Sequence, residues 1–77
     1  MSTKLRGLSG EELIRVLREY GYEIVRQKGS HVRLRNETDL ERRPVTVPLH
    51  KELAKKGTLK NILSDSGISE DELNSHL

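Results

Sequence analysis

The chain contains no cysteine, no phenylalanine and no tryptophan, and its 77 residues include only two prolines and one methionine. Without cysteine there is no disulfide staple, no zinc knuckle and no thiolate nucleophile, so the core must hold unaided, as it would in a reducing cytoplasm. Two tyrosines are the only aromatics. That excludes the stacking platforms on which four-stranded readers of single-stranded RNA lay their bases. No apolar run approaches the roughly 18 residues of a membrane span, and no signal-peptide core opens the chain. These absences predict a soluble cytoplasmic protein with no membrane partner, residues 1–77 forming one small domain.

What is present is aliphatic and charged. Leu, Ile and Val supply 21 of the 77 residues, above the roughly 20% below which a chain is expected to stay disordered. The formal charge of +2 conceals a partition: residues 1–60 hold all 14 basic side chains against 8 acidic ones, and residues 61–77 hold 4 acidic and none basic. A body at +6 beside a tail at −4 suggests an anionic partner for the body, nucleic acid being the commonest. The plain alternative is a solubilising surface charge.

Turn punctuation divides the chain. Ser9 and Glu12 fit a capping box, Leu13, Val16, Leu17 and Tyr20 recur at helical spacing, and Gly21 follows as a left-handed terminator. Tyr22 to Lys28 and His31 to Arg35 then read as strands around Gly29-Ser30, a two-residue loop suited to a type II′ turn. A charged loop, Asn36 to Arg43, leads to a third strand, Pro44 to Leu49, which its prolines bound or confine to an edge. Thr58 can cap a helix through Leu59, Ile62 and Leu63 that stops at Gly67, and Ser69 with Glu72 forms a second capping box. The order α-β-β-β-α-α predicts an α+β fold: a three-stranded antiparallel sheet with the helices on one face and the other face open.

Strand alternation decides what the open face carries. If Val32 and Leu34 point at the helices, His31, Arg33 and Arg35 point away. The two-residue turn sets Lys28 opposite His31 and Arg26 opposite Arg33, which gathers cations around one histidine. The first strand is the less determined one, because Ile24 and Val25 are both apolar and a one-residue slip exchanges its faces. Phosphate is the natural ligand of such a surface. A second cluster, Lys55, Lys56 and Lys60 around Gly57-Thr58, sets positive side chains beside the unpaired N–H groups of a helix start. An ordinary solvated loop is the competing reading of those lysines.

Taken in order, Gly21-Tyr22, then Arg26-Gln27-Lys28-Gly29-Ser30-His31, then Val45-Thr46-Val47-Pro48-Leu49-His50, then Lys56-Gly57-Thr58-Leu59-Lys60 with Ile62-Leu63 and Gly67-Ile68-Ser69 resemble the HicA toxins, also called YcfA-like proteins. The resemblance covers nearly the whole chain. It implies a fold like the double-stranded RNA-binding domain, cleavage of mRNA, restraint by a HicB-like antitoxin covering the histidine face, and contact with operator DNA only through that antitoxin. Members are bacterial or archaeal and cytoplasmic, and the family's catalytic histidine after Gly-Ser falls on His31. Many members carry a second histidine directly afterwards. Here that position is Val32, which the alternation turns inward, so little catalytic loss is expected.

The chemistry of the residues agrees with that implication. RNA is cut by its own 2′-hydroxyl when one group removes the proton and another protonates the leaving 5′-oxygen, and imidazole serves either role near neutral pH. His31 is therefore expected as general acid or base. Arg26, Lys28, Gly29, Ser30, Arg33 and Arg35 form the expected phosphate clamp beside it, and Lys55, Lys56, Thr58 and Lys60 a second one. His50 is the candidate for the other proton transfer. The three histidines lack zinc-ligand spacing, and no metal or cofactor is implied. The alternative function is a double-stranded RNA-binding module without chemistry, with a surface that only binds protein as a third reading.

Overall fold

The computed structural model describes residues 8–49 and 57–77. The elements are α1 (Gly10–Glu19), β1 (Tyr22–Lys28), β2 (His31–Asn36), β3 (Val45–Pro48), α2 (Thr58–Ser66) and α3 (Glu70–Ser75). The strands form one antiparallel sheet in the order β1-β2-β3, the expected α+β arrangement. β2 is the central strand and carries the alternation in full, with Val32, Leu34 and Asn36 buried and His31, Arg33 and Arg35 exposed. Val32 and Leu34 join Leu13, Val16 and Leu17 of α1, Leu59, Ile62 and Leu63 of α2, and Leu73 of α3 in a single aliphatic core that also takes in Tyr22. Among the described residues no helix is long and apolar enough to cross a membrane.

Both capping boxes form. Ser9 Oγ accepts the Glu12 N–H at 3.1 Å while Glu12 Oε1 accepts the Ser9 N–H at 3.2 Å, so two of the orphan donors at the start of α1 are satisfied reciprocally. Ser69 and Glu72 do the same for α3 at 3.0 and 2.9 Å. The Ser69 backbone N–H holds the Glu72 carboxyl below its ordinary pKa. A depressed carboxyl stabilises the fold above its unfolded-state pKa, and that contribution is lost as pH falls through the lowered value.

The start of α2 differs from expectation. A side-chain cap needs an extended residue, as at Ser9 with φ −87 and ψ 158. Gly57 instead occupies the cap in a left-handed conformation, with no side-chain cap bond, and Thr58 is already inside the helix.

The loop after β2 is fastened rather than free. Asn36 is fully buried, donates to Tyr20 O at 2.8 Å and accepts from the N–H groups of Thr38 and Asp39 at 3.0 and 2.7 Å, tying the end of β2 to the end of α1. Arg42 donates to Ser66 O at 2.7 Å, lies 3.4 Å from Asp39 and stands over the Tyr20 ring at 5.3 Å. A cation at the last turn of α2 also meets the negative end of its dipole. The Tyr22 hydroxyl donates to Arg43 O at 2.6 Å, and burial pushes its pKa up. His76, close to the C-terminus, packs edge-on against the same Tyr20 ring and contacts Glu19, while its carbonyl accepts from Arg15 at 3.0 Å.

Candidate functional site

The hairpin of β1 and β2 builds the open face. Gly29 has φ 59, the left-handed backbone that the two-residue turn requires, and a Cβ there would meet nothing within 4 Å. Lys28 lies opposite His31 and Arg26 opposite Arg33, as the loop length dictates. Beyond Arg26 the register slips by one: Ile24 faces Leu34, and Val25 is left as the extra residue of a β-bulge. Ile24 therefore keeps to the helix side with its buried partner Leu34, although 46% exposed at the sheet edge. Val25, 50% exposed, emerges on the open side instead.

Val25, Arg26, Lys28, His31, Arg33 and Thr46 line one open hollow of about 430 Å³. Four of the predicted residues thus come together, and among the described residues no carboxylate lines the hollow. Arg33 is aimed by Thr46, its partner on β3, whose Oγ1 accepts from Arg33 Nη1 at 3.0 Å. Among the described residues, the side chains of Arg26, Lys28 and His31 have no hydrogen bond or ion pair, which leaves them to an incoming ligand. Three cations and an exposed imidazole in one hollow suit an anion whose chemistry involves proton transfer.

The other expected residues are distributed differently. Arg35 lies opposite Glu23 and 3.5 Å from Glu37, outside the hollow and attended by acids. Ser30 contributes its carbonyl to the Leu49 N–H at 2.7 Å, which fixes the end of β3 against the turn. Thr58 borders a second groove of about 300 Å³ that shares Arg33 and Thr46 with the first, whereas Lys60 is exposed on α2 and lines neither. His50, Lys55 and Lys56 lie outside the described residues. Sequence reasoning missed Val25 and Thr46. The signal for Thr46 was its place between Val45 and Val47, which puts it on the open face across from an arginine.

A family model described as the HicA toxin of bacterial toxin-antitoxin matches residues 10–68. Comparison with the curated proteins gives no match. The family match runs from the first residue of α1 through the whole sheet and the whole of α2, so it takes in most of the core and every residue of the hollow. The chain belongs to the HicA toxin family of bacterial toxin–antitoxin systems and has an antitoxin for its partner.

Proposed function

We propose that the toxin is a metal-independent endoribonuclease that cleaves mRNA in the cytoplasm, with His31 as general acid or base. The observation that carries this reading is the exposed His31 imidazole in a hollow that it shares with Arg26, Lys28 and Arg33. The 2′-hydroxyl loses its proton and bonds to the adjacent phosphorus, the bond from phosphorus to the 5′-oxygen breaks, and that oxygen takes up a proton. His31 performs one of the two transfers. His50 is the sequence's candidate for the other. The three cations hold the phosphate and stabilise the added charge of the phosphorane, with Arg33 already oriented by Thr46. Lys55, Lys56, Thr58 and Lys60 are assigned to neighbouring phosphates of the same strand, with Gly29, Ser30 and Arg35 at the margin of the first clamp. The antitoxin, HicB-like in this reading, silences the toxin by covering the His31 face, and any operator contact is made through it.

The test is direct. The purified chain, incubated with RNA in EDTA, is expected to yield fragments with 2′,3′-cyclic phosphate and 5′-hydroxyl ends, because internal attack by the 2′-oxygen produces no others. RNA that is bound but left intact under these conditions, or fragments bearing 5′-phosphates, would overturn the proposal.

A further inference from the structure

A face built only to hold phosphate has no use for an apolar side chain, yet Val25 stands half exposed among the cations. It is there because of a specific backbone device. In an uninterrupted ladder with Arg26 facing outward, the residue before it would turn toward the helices. The bulge inserts Val25 between Ile24, which stays opposite Leu34, and Arg26, which stays opposite Arg33, and so adds an apolar wall to the His31 hollow without disturbing either face. The hollow, at about 430 Å³, lies within the range of roughly 300 to 1,000 Å³ typical of small-ligand sites.

We infer that Val25 is a specificity-determining residue: it seats the ribose and base of the nucleotide adjoining the scissile phosphate, and thereby confines the substrate to unpaired RNA. This inference rests on the ribonuclease reading of the same hollow. A nucleotide is the occupant that the lining describes, since it joins a flat, weakly polar body to an anion, and here Val25 shares one hollow with Arg26, Lys28 and Arg33. A base within a duplex is stacked and paired and cannot lie against the floor of the hollow. Only a splayed base reaches it. An aliphatic contact has no hydrogen-bonding pattern, so the seat discriminates pairing state and not base identity.

Two variants test the assignment. Val25→Ser keeps the bulge and removes the apolar surface. Deletion of Val25 removes the bulge and leaves Ile24–Leu34 and Arg26–Arg33 in a regular ladder, so the cations keep their places. The ligand is a single-stranded 2′-O-methyl oligonucleotide, which lacks the free nucleophile and reports binding alone; inorganic polyphosphate is the phosphate-only control. Both variants are expected to bind the oligonucleotide roughly 5- to 10-fold more weakly than the parent and polyphosphate equally well, with Val25→Ile restoring the parent affinity. Annealing the oligonucleotide to its complement should weaken parent binding by at least as much. Unchanged oligonucleotide affinity in both variants, equal losses for polyphosphate, or undiminished binding of the duplex would each overturn the inference. So would a loss confined to antitoxin binding, which would make Val25 a protein contact. Failure of the parent to cleave natural RNA instead overturns the ribonuclease reading, and the binding comparison separates the two failures.

Discussion

His31→Ala is expected to slow RNA cleavage by about 10² to 10⁴, the usual contribution of one positioned acid or base, while changing oligonucleotide affinity little. That factor corresponds to roughly 3 to 5 kcal/mol of transition-state stabilisation. The structure explains why the two effects should separate. His31 is exposed at the first position of β2, opposite Lys28 and Pro48, and among the described residues its side chain has no hydrogen bond or ion pair. Truncating it removes nothing that holds the hairpin, and Arg26, Lys28 and Arg33 remain to bind phosphate. The melting temperature should therefore match the parent within error, and expression of the variant should no longer arrest growth. Cleavage at the parent rate by a folded His31→Ala chain would remove the histidine from the mechanism.

Gly21→Ala is expected to be the most damaging single methyl addition outside the core. Gly21 joins α1 to β1 at φ 98, and a Cβ built there would lie 2.0 Å from Thr38 Oγ1 and 3.0 Å from Asn36 Oδ1. Neither neighbour can retreat easily. Asn36 Oδ1 accepts from the Thr38 N–H and hydroxyl, both at 3.0 Å, and the Gly21 carbonyl itself accepts from the Glu37 N–H at 3.0 Å. Backbone strain of this kind costs on the order of 1 to 3 kcal/mol before the clash is counted. A loss of about 3 kcal/mol or more is expected in urea unfolding, a large share of the roughly 5 to 15 kcal/mol available to a small domain. Adding Thr38→Ala to Gly21→Ala should recover part of the loss by removing the hydroxyl, but not the part due to φ. A midpoint shift worth less than about 0.5 kcal/mol in the single variant would show that the turn can move aside.

The two cases show which parts of the molecule local rules determine. Ser9 with Glu12, Ser69 with Glu72, and Gly29-Ser30 each specify a turn or cap through groups within three residues of one another, and each forms as read. The pairing of Lys28 with His31 and of Arg26 with Arg33 follows from loop length alone. The bulge at Val25 does not, because two adjacent apolar residues satisfy either face and only the packing of Tyr22 and Ile24 across from Asn36 and Leu34 decides between them. Asn36 and Arg42 were legible only as members of a charged loop. Their role emerges when α1 and α2 bring the Tyr20 and Ser66 carbonyls within reach, contacts separated by 16 and 24 residues. The site was more legible than its supports, since the alternation of β2 displays His31 and Arg33 whatever the helices do.

The bulge also bears on whether the molecules stay apart. β1 is an edge strand of seven residues, long enough to template pairing with another copy, and Ile24 is half exposed along it. An extra residue that breaks the regular spacing of N–H and C=O groups, followed by Arg26 and Lys28, is a device by which natural sheets discourage edge-to-edge growth. Deleting Val25 straightens that edge. At high concentration the deletion variant should self-associate more than the parent in sedimentation or light-scattering measurements while Val25→Ser matches the parent, which would give a residue placed beside the hollow a second task at the sheet edge.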